Sequence, residues 1–295
     1  MPHDLLRALA IFAVGLAAGT INTVVGSGTL ITFPTLLAFG YPPVLANVSN
    51  NVGLVPGVAS GVYGYRSELG GQRRRLIRLG SASVGGGLVG AILLLTLPQS
   101  AFKDIVPALI GLAVVMVIIQ PRLAKWVAER QRARAALATP DGATPDGAGA
   151  GGTGAAAVGA GADGAGAVAV AAPPAPAEAI GGPVLWVLVF LAGIYGGYFG
   201  AAQGVLLIGM LGIALNDSLQ RINAAKNVLA GLVNGLAAVV FILATHIDWG
   251  VAGLIAAGSI IGGQVGARIG KRLPPWGLRV VIVCVGTVAL IKLLG

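Results

Sequence analysis

Residues 12–26 read FAVGLAAGTINTVVG, and residues 190–204 read FLAGIYGGYFGAAQG. Gly15, Gly19 and Gly26 fall on Gly193, Gly197 and Gly204, and the match continues well beyond these strings. Ser49-Asn50 falls on Lys226-Asn227, Gly86-Gly87-Leu88-Val89-Gly90-Ala91 on Gly262-Gly263-Gln264-Val265-Gly266-Ala267, and Leu97-Pro98 on Leu273-Pro274. The stretch from Phe12 to Pro98 is thus written again from Phe190 to Pro274. Both copies are overwhelmingly apolar, and a duplicated apolar domain is the mark of a secondary transporter.

Composition places the chain in a bilayer. With 56% hydrophobic residues, 10% charged residues and a mean hydropathy of +0.89, a water-soluble domain could not cover itself with polar surface. An all-α polytopic membrane protein is expected. Apolar runs long enough for a hydrocarbon core of about 30 Å centre on residues 5–39, 44–64, 76–97, 104–121, 183–215, 222–244, 250–267 and 278–294, four per half. The net charge of +9 does not indicate nucleic acid, because the basic residues cluster at the ends of apolar runs: Arg66 to Arg78, Arg122 to Arg134, and Arg268 to Arg279. That is the pattern of cytoplasmic loops that set topology.

Three regions follow: a first membrane repeat at 1–121, a basic and then low-complexity cytoplasmic linker at 122–182, and a second repeat at 183–295. Residues 139–182 are mostly Ala, Gly, Pro and Thr, with TPDGA written twice from Thr139 to Ala148, and have too few large apolar groups to offset the entropy of ordering them. Arg7 ahead of an apolar run imitates a signal peptide. Recurrence of the pattern at Phe190 argues for a retained membrane helix instead. Cys284 is the single cysteine, and His3 and His246 stand apart from other ligand types, so neither a disulfide nor a metal site is expected. No cofactor is expected either.

Equivalent loops carry opposite charge bias. The loop after the second segment is basic in the first half (Arg66 to Arg78), whereas its counterpart at Thr245 to Asp248 has no Lys or Arg and the next loop is rich in them. The halves are therefore expected to be inverted, which requires an odd number of crossings in each. The long first segment of each half supplies the extra one if it is broken at Val24-Val25-Gly26-Ser27-Gly28 and at Gly200-Ala201-Ala202-Gln203-Gly204, where glycine weakens a helix by about 1 kcal/mol relative to alanine. Returning helices are predicted near 29–39 and 205–215. Five crossings per half put the linker in the cytoplasm and both termini outside. Returning pieces of some 11 residues, about 16 Å of helix, leave re-entrant half-helices as the alternative.

Non-helical backbone at membrane depth survives only against protein or a water-filled cavity, and half-helix N-termini favour anions. The candidate substrate-binding residues are therefore Asn22, Gly26, Ser27, Gly28 and Gln203, Gly204 at the breaks. Ser49, Asn50, Asn223, Lys226 and Asn227 on the following helices complete the set. The alternatives are close helix packing for Gly26 and Gly204, and snorkelling to the interface for Lys226. Glycines four apart, as in Gly15-Gly19, Gly86-Gly90 and Gly262-Gly266-Gly270, read as helix-packing faces.

No phosphate-binding loop ending in Gly-Lys-Ser/Thr is present, and no acidic residue lies centrally in an apolar run. ATP hydrolysis and an Asp or Glu proton relay are thus not expected, and no nucleophile and base lie together as an enzyme would need. A non-transporting scaffold is the alternative from another class. The expected partners are a small anionic substrate and the lipid bilayer, without nucleic acid and with room for a homo-oligomer.

The chain resembles the TauE/SafE (TSUP) family of sulfite exporters. The likeness covers both halves and omits the linker. It rests on Ala18-Gly19-Thr20-Ile21-Asn22, Gly26-Ser27-Gly28 and Phe33-Pro34, and on Gly193 to Gly200, Asn223 to Lys226 and Gly262 to Gly270. It implies a multi-pass carrier of the bacterial inner membrane for sulfite, thiosulfate, organosulfonates or related small organic acids. Gly26-Ser27-Gly28-Thr29 is shorter than the family's usual glycine run, and Ala202-Gln203 replaces a usual glycine, so the departures fall at the expected site.

Overall fold

The computed structural model describes residues 2–137, 182–269, 283–285 and 287–288. Most of the linker, the basic residues Lys271, Arg272 and Arg279, and most of the final apolar run lie outside the described residues. Those described fold as helices without strands: α1 (Pro2–Val24), α2 (Thr29–Ala38), α3 (Pro43–Gly64), a 3-10 turn (Arg66–Leu69), α4 (Arg73–Thr96), α5 (Gln99–Leu137), α6 (Pro183–Tyr198), α7 (Gln203–Ala214), α8 (Leu219–Ala244) and α9 (Trp249–Ile269).

Local chemistry sets several starts. Pro43 and Pro183 open α3 and α6 at positions where no amide donor is needed. Ser218 caps α8, its Oγ accepting the Arg221 N–H at 3.3 Å. Five helical stretches are long and apolar enough to cross a membrane: 4–24, 73–96, 100–122, 219–244 and 249–268. Their outward faces carry residues such as Val115, Ile118 and Leu243, exposed as lipid-facing side chains are. The chain is a polytopic membrane protein. α2, α6 and α7 are shorter, at 10, 16 and 12 residues. α5 continues through Pro121 to Leu137, so the start of the region read as linker is helical.

Glycine seams determine which helices pair. A side chain at Gly258 or Gly262 would strike the carbonyls of Phe12 or Leu16, and one at Gly15 would come within 2.9 Å of the Ile255 backbone. α1 and α9 therefore lie backbone to backbone. The same holds for α4 and α6, where Gly86 and Gly90 face the carbonyls of Phe190 and Ile194. Hydroxyls join the seams: Thr20 Oγ1 donates to Gly262 O at 3.1 Å, Ser259 Oγ to Gly53 O at 3.1 Å and Ser60 Oγ to Ile260 O at 2.8 Å. Small residues and hydroxyls suit association in lipid, where apolar burial between helices contributes little.

Residue numbers rise together along the α1–α9, α3–α9, α4–α6 and α4–α8 contacts, so each pair is parallel. α1, α3 and α9 form one bundle running one way, and α4, α6 and α8 a second running the other. They meet at α3 and α8, where Gly231 faces Val58. α1 thus packs in the bundle that holds α9 of the other half, and α6 in the bundle that holds α4 of the other half.

Arg7 ties the start of α1 to the end of α2, donating to the Phe39 carbonyl and stacking over Phe39 and Tyr41 at 5.3 and 4.8 Å. α2 therefore ends on the side where α1 begins. At the opposite end of the molecule, buried Arg75 reaches Asp217 at 2.7 Å and Gln72 Oε1 at 3.0 Å, and Asp217 also takes Arg221 at 2.7 Å. Asp217 thus holds α8 onto α4, and Ser218, which with Asn216 and Asp217 also fits a glycosylation sequon, is engaged in capping α8.

Candidate substrate-binding site

Two interruptions lie at the centre of the molecule. α1 ends at Val24 and α2 begins at Thr29, while α6 ends at Tyr198 and α7 begins at Gln203. In the first, Gly26 takes φ +87° and its N–H reaches Ile21 O at 3.0 Å. In the second, Gly200 takes φ +76° and its N–H reaches Tyr195 O at 3.1 Å. A left-handed φ of this kind is open to glycine at little cost. Ala202 also holds a left-handed φ, +62°, just ahead of α7, a conformation an L side chain adopts only under surrounding constraint.

The interruptions touch. Gly204 N–H donates to Gly26 O at 3.1 Å, and a side-chain carbon on either glycine would lie 2.5 Å from the other's Cα. Gly26 and Gly204, equivalents in the sequence register, are contact partners in space. By turn geometry Gly26 corresponds to Gly200, one helical turn from the sequence pairing. The cause is the four-residue glycine spacing, which matches itself when displaced by one turn.

Lys226 is 1% exposed and extends from α8 past Gly204, with Nζ donating to Asn22 O at 3.1 Å and Thr23 O at 3.2 Å. Asn223 and Asn227 donate to Thr23 O at 3.3 and 3.4 Å. The carbonyls at the C-terminal end of α1 carry partial negative charge and have no partner within the helix. A cation and two amides from the other half cover them. Among the described residues no carboxylate pairs with Lys226. On the opposite side Asn47 donates to Tyr198 O at 3.1 Å, at the end of α6, so Asn47 and Asn223 mirror one another. Asn22 contributes its main-chain carbonyl, and Gly28 seats the start of α2 against the Ala18 carbonyl.

Ser49 stands apart. Its Oγ accepts the Asp248 N–H at 3.0 Å in the turn before α9, so it does not face Lys226. Asn50 Nδ2 reaches Thr29 Oγ1 at 3.4 Å. The amide of Gln203 lies flat on α6 over Gly196, where no side chain would fit. Several buried polar atoms around the breaks lack a partner: Ser27 Oγ, Gln203 Nε2, Asn50 Oδ1, Asn223 Oδ1, Tyr198 Oη and Gln120 Oε1. A native interior leaves few such atoms, and here six of them gather around the two breaks.

Sequence reasoning did not assign site roles to Thr23, Tyr198 or Gln120. Thr23 acts through its carbonyl, which side-chain identity does not advertise. Gln120, whose Nε2 lies 3.4 Å from Val25 O, carried a signal, since it is the one amide in the apolar run 104–121. Among the described residues no group of three His, Cys, Asp or Glu gathers as metal ligands would.

The family model described as "Sulfite exporter TauE/SafE" matches residues 11–293. The chain belongs to the TauE/SafE family. This TauE/SafE member is similar to a probable membrane transporter protein of Haemophilus influenzae, 26% identical over 267 residues, which covers 90% of this chain and 85% of the relative. It is also similar to the probable membrane transporter protein YfcA of Escherichia coli K12, 23% identical over 289 residues, or 96% and 88% of the two chains. No solved structure matches this TauE/SafE chain.

Proposed function

We propose that the protein is a secondary permease of the bacterial inner membrane, without enzymatic activity, that releases a small anion from the cell. Its cargo is sulfite or another sulfur-containing or organosulfonate anion. The observation that carries this reading is the convergence of Lys226, without a carboxylate partner, and the unpartnered donors Ser27 Oγ and Gln203 Nε2 on two touching helix breaks. An ammonium and uncommitted hydroxyl and amide donors suit an oxyanion, whose several oxygens accept in different directions.

The two halves work as inverted repeats. Support comes from helix direction: α1 and α3 run against α6 and α8. Basic residues at the start of α4 and the end of α9 then share one side, the cytoplasm. α2 and α7, at 10 and 12 residues, are about 15 and 18 Å long and enter the bilayer without crossing it. Substrate binds where the breaks meet, and a rocking motion of one bundle against the other exposes it to each side in turn. An inside-negative potential drives a monoanion outward by about 2.3 kcal/mol per 100 mV, so export needs no coupled ion.

Proteoliposomes loaded with labelled sulfite test this. Efflux should rise with the imposed potential, fall to liposome background in Lys226→Ala and fall at least tenfold in Gln203→Ala. Full efflux in both variants would remove the site. Absence of efflux from folded native protein would remove sulfite as cargo.

A further inference from the structure

A groove on the outer face of the second bundle is separate from the central site. It is a cavity of about 430 Å³ lined by Leu69, Gly71, Arg73, Leu76, Ile77, Gly80 and Leu232. Its mouth is the turn into α4 and its floor is Gly80. A side chain there would come within 3.0 Å of Leu232 Cδ1, so the missing side chain hollows the floor. From Arg73 to Gly80 the groove descends about 10 Å along α4. Ile77, on its wall, is 63% exposed.

The two ends differ in chemistry. Arg73 lines the mouth, Arg74 and Arg78 are exposed on the same two turns, and Arg221 Nη2 lies 4.0 Å from where a side chain at Gly71 would begin. Asp217 is already shared between Arg75 and Arg221, so the mouth keeps a positive potential. The floor and walls are apolar. Positive charge at the height of the headgroups above an apolar slot open to the hydrocarbon is complementary to one kind of molecule.

We propose that this groove is a binding site for an anionic glycerophospholipid of the leaflet that faces the basic ends of the helices. The phosphate sits against Arg73 and Arg221, and an acyl chain lies along Ile77, Gly80 and Leu232. A zwitterionic lipid would meet the same walls without the net charge that Arg73 and Arg221 recognise. Basic residues at a membrane surface each favour anionic lipid about fivefold.

Native mass spectrometry of the full chain tests this, with phosphatidylglycerol and phosphatidylcholine supplied at equal concentration in mixed micelles. The native protein should retain one phosphatidylglycerol in at least fivefold preference to phosphatidylcholine. Arg73→Gln, an exposed position that leaves packing intact, should bring the two close to parity, and Leu232→Trp should reduce retention of both by filling the slot. Equal retention of the two lipids by the native chain would overturn the proposal. So would unchanged retention in both variants, or a dimer of this chain lost in Leu232→Trp.

Discussion

At Gly204 a methyl group has no space, because the atom it would meet 2.5 Å away is the Cα of Gly26 and neither backbone can move without opening the crossing. Gly204→Ala should lower stability by about 1–3 kcal/mol, the usual range for overpacking, read as a drop in the unfolding midpoint in detergent. Gly235 and Gly253 lie on α8 and α9 with nothing within 4 Å of an added Cβ, so alanine there should leave the midpoint unchanged or raise it slightly. A loss at Gly235 equal to that at Gly204 would mean that helix propensity, and not the crossing, governs these glycines. The contrast separates two meanings that glycine has in one sequence. Spacing alone cannot tell them apart, since Gly231 and Gly235 on α8 are also four apart, yet only Gly231 faces a neighbouring helix, at Val58.

Among the helices, the buried pair of Arg75 and Asp217 joins α4 to the start of α8. Asp217→Asn should cost about 3 kcal/mol, because it leaves a buried guanidinium without its counter-charge. Arg221→Gln, at a side chain that is about one-third exposed, should cost under about 1 kcal/mol. Chemical denaturation of the two variants in one detergent checks the order, and equal losses would contradict it. Arg75 also illustrates what was legible in the sequence. Its cluster reads as a topogenic run of arginines, and composition alone identifies an all-helical membrane chain. The partner of Arg75 is 142 residues away, and no local pattern marks it. The register of the repeat escaped for a related reason. Ser49-Asn50 can be laid on Lys226-Asn227, but the contacts of Asn47 and Asn223 pair these helices one residue differently. Adjacent asparagines at 50 and 51 give a sequence comparison two near-equal choices.

Over the whole molecule, the moving bodies of the proposed mechanism are the bundles and not the sequence halves, because α4 and α9 are exchanged between them. In a Cys284→Ser background, Val58→Cys with Gly231→Cys would bridge α3 and α8 across the bundles. Gly80→Cys with Leu232→Cys would bridge α4 and α8 within one bundle. Oxidation of the first pair should reduce anion flux to background, and reduction should restore it. Oxidation of the second should leave more than half of the flux. Equal inhibition by both would show that rocking of bundle against bundle is not the transport motion.

The exchange of α4 and α9 also imposes an order in time. α6 finds its seam on α4 already in place, whereas α1 must wait for α9, more than 200 residues further along the chain. At ordinary rates of synthesis that interval lasts on the order of 10 to 50 s. Throughout it, the carbonyls that Gly258 and Gly262 later cover face lipid or the insertion machinery. α1 therefore enters the membrane ahead of the other described helices and is among the last of them to complete its packing.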